Sequence, residues 1–168
     1  MLTLTNDYLF TSCFCLNCLL FLSMTNSVVP QLSVELVHTF RGHTSDVNSV
    51  IFSRTSSSSP LIASCSSDKT IRLWNLNDQS SKTLTRHTYQ VHCLCFSPIV
   101  HDDQNDSTSK YMASVSTDGT CLLWDLSTDC VLKEYKHDSD SPIRICQFSA
   151  DGTLLATGKC LSVVVVVY

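Results

Sequence analysis

Residues 64 to 76 read SCSSDKTIRLWNL, and residues 114 to 126 read SVSTDGTCLLWDL. Each contains an S-x-D-x-T-x-x-x-W run, with a tight turn (Ser67-Asp68-Lys69, Thr117-Asp118-Gly119) between two short apolar segments. Gly119 can take φ > 0 without steric cost, which suits a two-strand connection. Before each run lies a second matching segment, DVNSVIFS (46–53) and QVHCLCFS (90–97), and a third copy, IRICQFSA, covers 143–150. Phe52, Phe96 and Phe148 mark the same point in the three copies, so the chain repeats at roughly 40 to 50 residues, the period of a solenoid or propeller. The interruptions RTSSSSP (54–60) and IVHDDQNDSTSK (99–110) are polar excursions between paired strands.

Within each unit the first segment is nearly continuous in apolar or small residues, as a strand covered on both faces requires. LIASCSS, YMASVST and TLLATG supply second strands, and Thr70–Leu76 and Thr120–Leu126 supply third ones. SKTLTRH (81–87) and CVLKEYKH (130–137) are polar enough for a fourth strand at a sheet edge. Four short strands per repeat imply radial stacking of small sheets.

Composition agrees. Of 168 residues only 15% are charged, the formal net charge is −4 and 43% are hydrophobic. That balance excludes a basic nucleic-acid footprint and a highly charged disordered chain. The 26 serines and 17 threonines, with 4 glycines and 4 prolines, favour strands over helices.

Ten cysteines have no repeating disulfide spacing. Cys15 and Cys18 have C-x-x-C spacing, but the next cysteine is Cys65, so no zinc ribbon is read. Cys93 and Cys95 lie on one face of a strand as small buried hydrophobes, which fits a reducing, cytoplasmic location. His92 is expected to pack on a strand and His101 to be solvated; neither has a partner at metal-ligand spacing, and no metal or cofactor is expected. Residues 8–23, within an apolar extension spanning 1–33, are short for a membrane span, and a secretory signal would need a basic start, whereas no Lys or Arg precedes Arg41. A secreted or membrane-associated product is the alternative if 8–23 act as a signal. The uncharged end, LSVVVVVY within 159–168, is read as an aberrant tail replacing a lost D-G-T-x-x-x-W segment, which would make the chain a fragment.

The Gly42-His43 pair, Trp74-Asn75 and Trp124-Asp125 resemble the WD40 repeat, over about residues 34–158. The resemblance implies an all-β fold: a β-propeller fragment with two full four-stranded blades and a truncated third, in repeats of about 34–76, 82–126 and 130–158. DKTIRLW, HTYQVHCLCFSP, STDGTCLLWD and SPIRICQFS are most similar to the group of WD-repeat proteins that also carry a SAM domain and a U-box, domains not present in this sequence.

The same resemblance implies a buried tetrad of Trp74, Ser64, His43 and Asp68 in the first blade, and of Trp124, Ser114, His87 and Asp118 in the second. In the third unit His137 and Thr157 match, but no Asp or Trp follows. A Ser, a His and an Asp invite a hydrolase reading, yet neither serine has a G-x-S-x-G elbow, and the set occurs twice. The expectation is therefore a non-catalytic scaffold binding a protein or peptide, without nucleic acid or membrane. The alternative is the substrate-recognition portion of a U-box-type ubiquitin ligase. Partner contacts are expected from narrow-face loops, Thr44-Ser45-Asp46, Thr88-Tyr89-Gln90 and 138–141, with Tyr89 as the anchor. An open arc would also expose blade faces, and self-association through the open propeller edge is expected from that.

Overall fold

The computed structural model describes residues 38–53, 61–98, 109–136, 141–159 and 163–167. The apolar extension, His101, His137, most of the 138–141 loop and four of the cysteines lie outside these residues. All elements among the described residues are strands. β1 (Val47–Phe52), β2 (Leu61–Ser66), β3 (Thr70–Asn75) and β4 (Ser81–Thr85) form an antiparallel meander, and β5 (Val91–Phe96), β6 (Tyr111–Ser116), β7 (Thr120–Asp125) and β8 (Cys130–Lys136) form a second one of the same order. β9 (Ile145–Phe148), β10 (Leu154–Gly158) and β11 (Val163–Val167) form a three-stranded third sheet. The fold is all-β and corresponds to a propeller fragment of two four-stranded blades and a truncated third.

Each blade alternates its side chains between its two neighbours, because successive residues of a strand point to opposite faces. Leu94, Met112, Leu122 and Trp124 of the second blade pack on Ala63, Cys65, Ile71, Leu73 and Leu84 of the first. Cys93, Cys95, Ala113, Val115, Cys121 and Leu123 point the other way, onto Ile143, Cys146, Phe148 and Leu155 of the third. The near-continuous apolar runs of β5 to β7 are thus explained by two covered faces. The repeat-marking phenylalanines show the effect directly. Phe52, on the outward face of the first blade, is 66% exposed, whereas Phe148, turned toward the second blade, is 5% exposed.

The register departs from simple alternation between Leu123 and Trp124, where β7 meets β8, and at two equivalent places on the innermost strands. Pairing of β1 with β2 shifts between Val47 and Ser49, and that of β5 with β6 between Val91 and Cys93. Asn48 and His92 are therefore bulge residues, set off the ladder at the same end of successive innermost strands.

The third sheet differs from the sequence reading, which ends that unit at its second strand and treats 159–168 as a tail. Val163–Val167 pairs along the whole of β10, with Leu155 opposite Val166 and Thr157 opposite Val164. Five consecutive β-branched residues beside an open ladder edge have high strand propensity whatever their origin. Val166 thereby takes the register position held by Trp74, opposite Ile62, and by Trp124, opposite Met112.

Candidate functional site

The polar network begins with the turns. In Ser67-Asp68-Lys69 the Asp68 carboxylate accepts from the Thr70 amide (2.9 Å) and hydroxyl (2.6 Å), closing the turn locally. Its other oxygen accepts from the Thr44 amide (3.0 Å) and lies 2.9 Å from His43 Nδ1. His43 Nε2 is 2.8 Å from Ser64 Oγ, which also accepts from Trp74 Nε1 at 2.8 Å. A consistent proton order is indole N–H to serine, serine O–H to Nε2, and Nδ1–H to carboxylate. Gly42 before the histidine leaves room for Arg72: a Cβ there would lie 2.6 Å from Nη1.

The second blade repeats this arrangement. His87 Nδ1 is 3.0 Å from Asp118, His87 Nε2 is 2.8 Å from Ser114 Oγ, and Trp124 Nε1 donates to Ser114 at 2.9 Å. Asp118 also accepts from the Thr120 hydroxyl (2.6 Å) and the Thr88 amide (2.9 Å). Sequence reasoning missed Thr70 and Thr120, although the threonine two residues after the aspartate is part of the repeated motif. It also missed Ser66 and Ser116, whose hydroxyls donate to the carbonyls of Ser45 and Tyr89.

Electrostatics follow from these contacts. Burial pushes Asp68 and Asp118 upward, but the bonds from Thr70 and Thr120, the Thr44 and Thr88 amides and the histidines outweigh it, leaving both carboxyls below their ordinary range. Burial lowers the His87 imidazole against the opposing pull of Asp118. Both serines are buried and fully engaged, so each Ser–His–Asp set acts as a brace between the outer strands and the turn; leaving one buried member unpaired costs about 1–3 kcal/mol.

The brace fixes the loops that enter each innermost strand. Thr44 is held by Asp68, and Ser45 by Ser66. Thr88 is held by Asp118, and the Tyr89 carbonyl by Ser116. Thr44, Asp46, Thr88, Tyr89 and Gln90 are exposed at this end, and Ser45 is half-buried. The Tyr89 side chain is 59% exposed, with Lys69 Nζ 5.6 Å from its ring centroid. His92 is half-buried, and its Nε2 lies 2.6 Å from Thr117 Oγ1.

Cys93 and Cys95 lie on one face, with Cys95 Sγ 3.5 Å from Cys146 Sγ, and Cys65, Cys93, Cys95, Cys121, Cys130 and Cys146 are in no disulfide. Burial pushes Cys121 up to about 12. Among the described residues no three His, Cys, Asp or Glu side chains converge as metal ligands, and no helix is long and apolar enough to cross a membrane.

Comparison with known proteins identifies the repeat. The WD domain, G-beta repeat profile matches residues 34–75 and 78–125, more than half of the chain. The chain is 43% identical over 115 residues to human WD repeat, SAM and U-box domain-containing protein 1, covering 67% of this chain and 21% of that protein. It is 37% identical over 128 residues to the zebrafish (Danio rerio) protein of the same name, covering 74% of this chain and 23% of that one. Pre-mRNA-processing factor 19 homolog 2 of Arabidopsis thaliana is 33% identical over 137 residues, covering 79% of this chain and 24% of that protein. The chain thus spans about a quarter or less of the length of the relatives it matches. The repeated strands, the twice-built brace and these similarities agree that the chain belongs to the WD40 (WD domain, G-beta repeat) family.

Proposed function

We propose that this chain is a non-catalytic interaction scaffold that engages a protein or peptide through the loops Thr44-Ser45-Asp46 and Thr88-Tyr89-Gln90. The observation that carries this reading is Tyr89: a largely exposed aromatic ring on a loop whose backbone is pinned on both sides by Asp118 and Ser116. A rigid aromatic anchor supplies contact area at small entropic cost, the profile of an interface hot spot. The test is selection of displayed peptides on the full chain, followed by affinity measurement on Tyr89→Ala and on Leu132→Ser. Leu132 is also exposed but sits on outer strand β8. Selected peptides should weaken at least about tenfold on Tyr89→Ala, the loss of a typical hot spot, and be unaffected by Leu132→Ser. Equal binding to both variants would overturn the reading.

A second reading, the substrate-recognition portion of a U-box-type ubiquitin ligase, draws on the similarity to WD repeat, SAM and U-box domain-containing protein 1. Sequencing the mature transcript past codon 160 tests it. An in-frame U-box supports this role, and its absence from every transcript removes it. The cytoplasm is the location in which a scaffold with buried free thiols would work.

A further inference from the structure

We propose that the narrow face carries a cationic strip, running from Lys69 over Tyr89 and His92 to Arg144, that receives an acidic peptide segment. The proposal rests on the interaction-scaffold reading and adds the chemistry of the partner.

Lys69 is the first indication. Its φ is 73°, the left-handed region that a side chain disfavours, and the same turn position in the second blade is Gly119 at φ 78°. The fold is served by glycine there, yet the first blade holds a lysine whose ammonium reaches the ring of exposed Tyr89. Strain kept at an exposed, side-chain-bearing position fits a binding role. From Tyr89 the strip continues through direct contacts: the Tyr89 carbonyl accepts from Ser116, and the adjoining Thr117 bonds His92.

The bulges supply the second indication. Asn48 and His92 hold equivalent bulge positions, but Asn48 is consumed internally, donating to the Val91 carbonyl (2.7 Å) and to Ser67 Oγ (3.2 Å). His92 is bound to Thr117 through Nε2, so in the tautomer where Thr117 donates, Nδ1–H remains a donor at the half-buried floor of the strip. Arg144 follows Ile143 as His92 follows Val91, and it is exposed; its charge, after burial, helps keep the His92 imidazole low.

Charge decides the partner. Asp68 and Asp118 turn their carboxylates inward to the braces; Asp46, exposed ahead of β1, is an acid at the first-blade end, and Asp138 and Asp140 precede Arg144 in the sequence. An acidic segment is therefore expected to centre on Lys69 and Tyr89, with Arg144 as its second cation. The formal net charge of −4 opposes a long polyanion such as nucleic acid, whereas a short run of carboxylates meets only the strip.

The test is fluorescence anisotropy of the full chain with short labelled peptides, one glutamate-rich, one serine-rich and one lysine-rich. The glutamate-rich peptide should bind about tenfold tighter than the serine-rich one at low ionic strength and lose that advantage as salt is raised. Lys69→Gly, which suits the turn, and Arg144→Gln should each weaken it about three- to tenfold, and Lys133→Gln on β8 should not change it. Glutamate-rich binding no tighter than serine-rich binding, or unaltered by Lys69→Gly and Arg144→Gln, would overturn the proposal. If display-selected peptides still depend on Tyr89 in that event, only the acidic class falls; if they do not, the scaffold reading falls with it.

Discussion

Arg72 and Leu122 hold one register position in successive blades, each opposite the serine of its brace, Ser64 and Ser114. Leu122 is buried between the first and second blades, whereas Arg72 lies on the outward face of the first blade, stacked 5.6 Å over Trp74, with Val50 and Phe52 exposed beside it. The arginine thus interrupts what would otherwise be a continuous apolar face. Arg72→Leu should increase self-association, seen as a shift to larger species in sedimentation velocity, and Phe52→Glu should reduce it. An unchanged distribution in both variants would remove this face from any self-association.

The braces predict non-additive stability. Trp124→Phe removes one donor to Ser114, and Ser114→Ala strands both the indole and His87 Nε2. Each single change should cost about 1–3 kcal/mol. The double variant should cost clearly less than the sum, by at least about 0.5 kcal/mol, because both changes act on one network. Urea unfolding of the four proteins measures this, and additivity would mean that the network does not act as a unit.

Acid should destabilise the fold in two stages. The His87 imidazole is held below its ordinary value of 6.5, so the unfolded chain binds more protons there and stability falls as pH drops from about 6.5 toward the folded value. Asp68 and Asp118 are held below 3.8, so their contribution is complete above that pH and is lost as pH falls through their folded values. Urea midpoints should therefore decline between pH 7.5 and 5.5 and again below about 4. A midpoint that rises on going to pH 5.5 would contradict the buried, neutral imidazole.

Thiol reactivity should follow burial. Cys130 is exposed, whereas Cys65, Cys93, Cys95, Cys121 and Cys146 are buried in the interblade cores. Brief iodoacetamide treatment of the native chain, read by peptide mass spectrometry, should label Cys130 among these six and spare the other five until urea is added. Early labelling of Cys121 or Cys146 would mean that the second and third blades separate in solution.

Much of this architecture is legible in the sequence because the repeat states each choice twice. The turn aspartates keep one spacing to Trp74 and Trp124, and the histidines keep one spacing to the starts of β1 and β5, and the structure joins them through Ser64 and Ser114 by hydrogen bonds of 2.8–3.0 Å. What escaped depends on partners rather than on local pattern. The bulges at Asn48 and His92 leave no mark in an apolar run, since they appear only when the facing strand sets the register. Lys82 of β4 pairs with Asp129, just before β8, and Arg86, just after β4, pairs with Glu134 of β8, and nothing in either segment names the other. Val163–Val167 was unreadable as a third strand because it lacks the D-x-T-x-x-x-W pattern and pairs through backbone propensity alone.

The proposed interface centres on Tyr89. The most direct measurement is photocrosslinking of a display-selected peptide to chains carrying a photoreactive benzoylphenylalanine in place of Tyr89 or, as the control, of Leu132. Adducts are expected from position 89 and none from position 132. Adducts from position 132 alone, or equally from both, would contradict it.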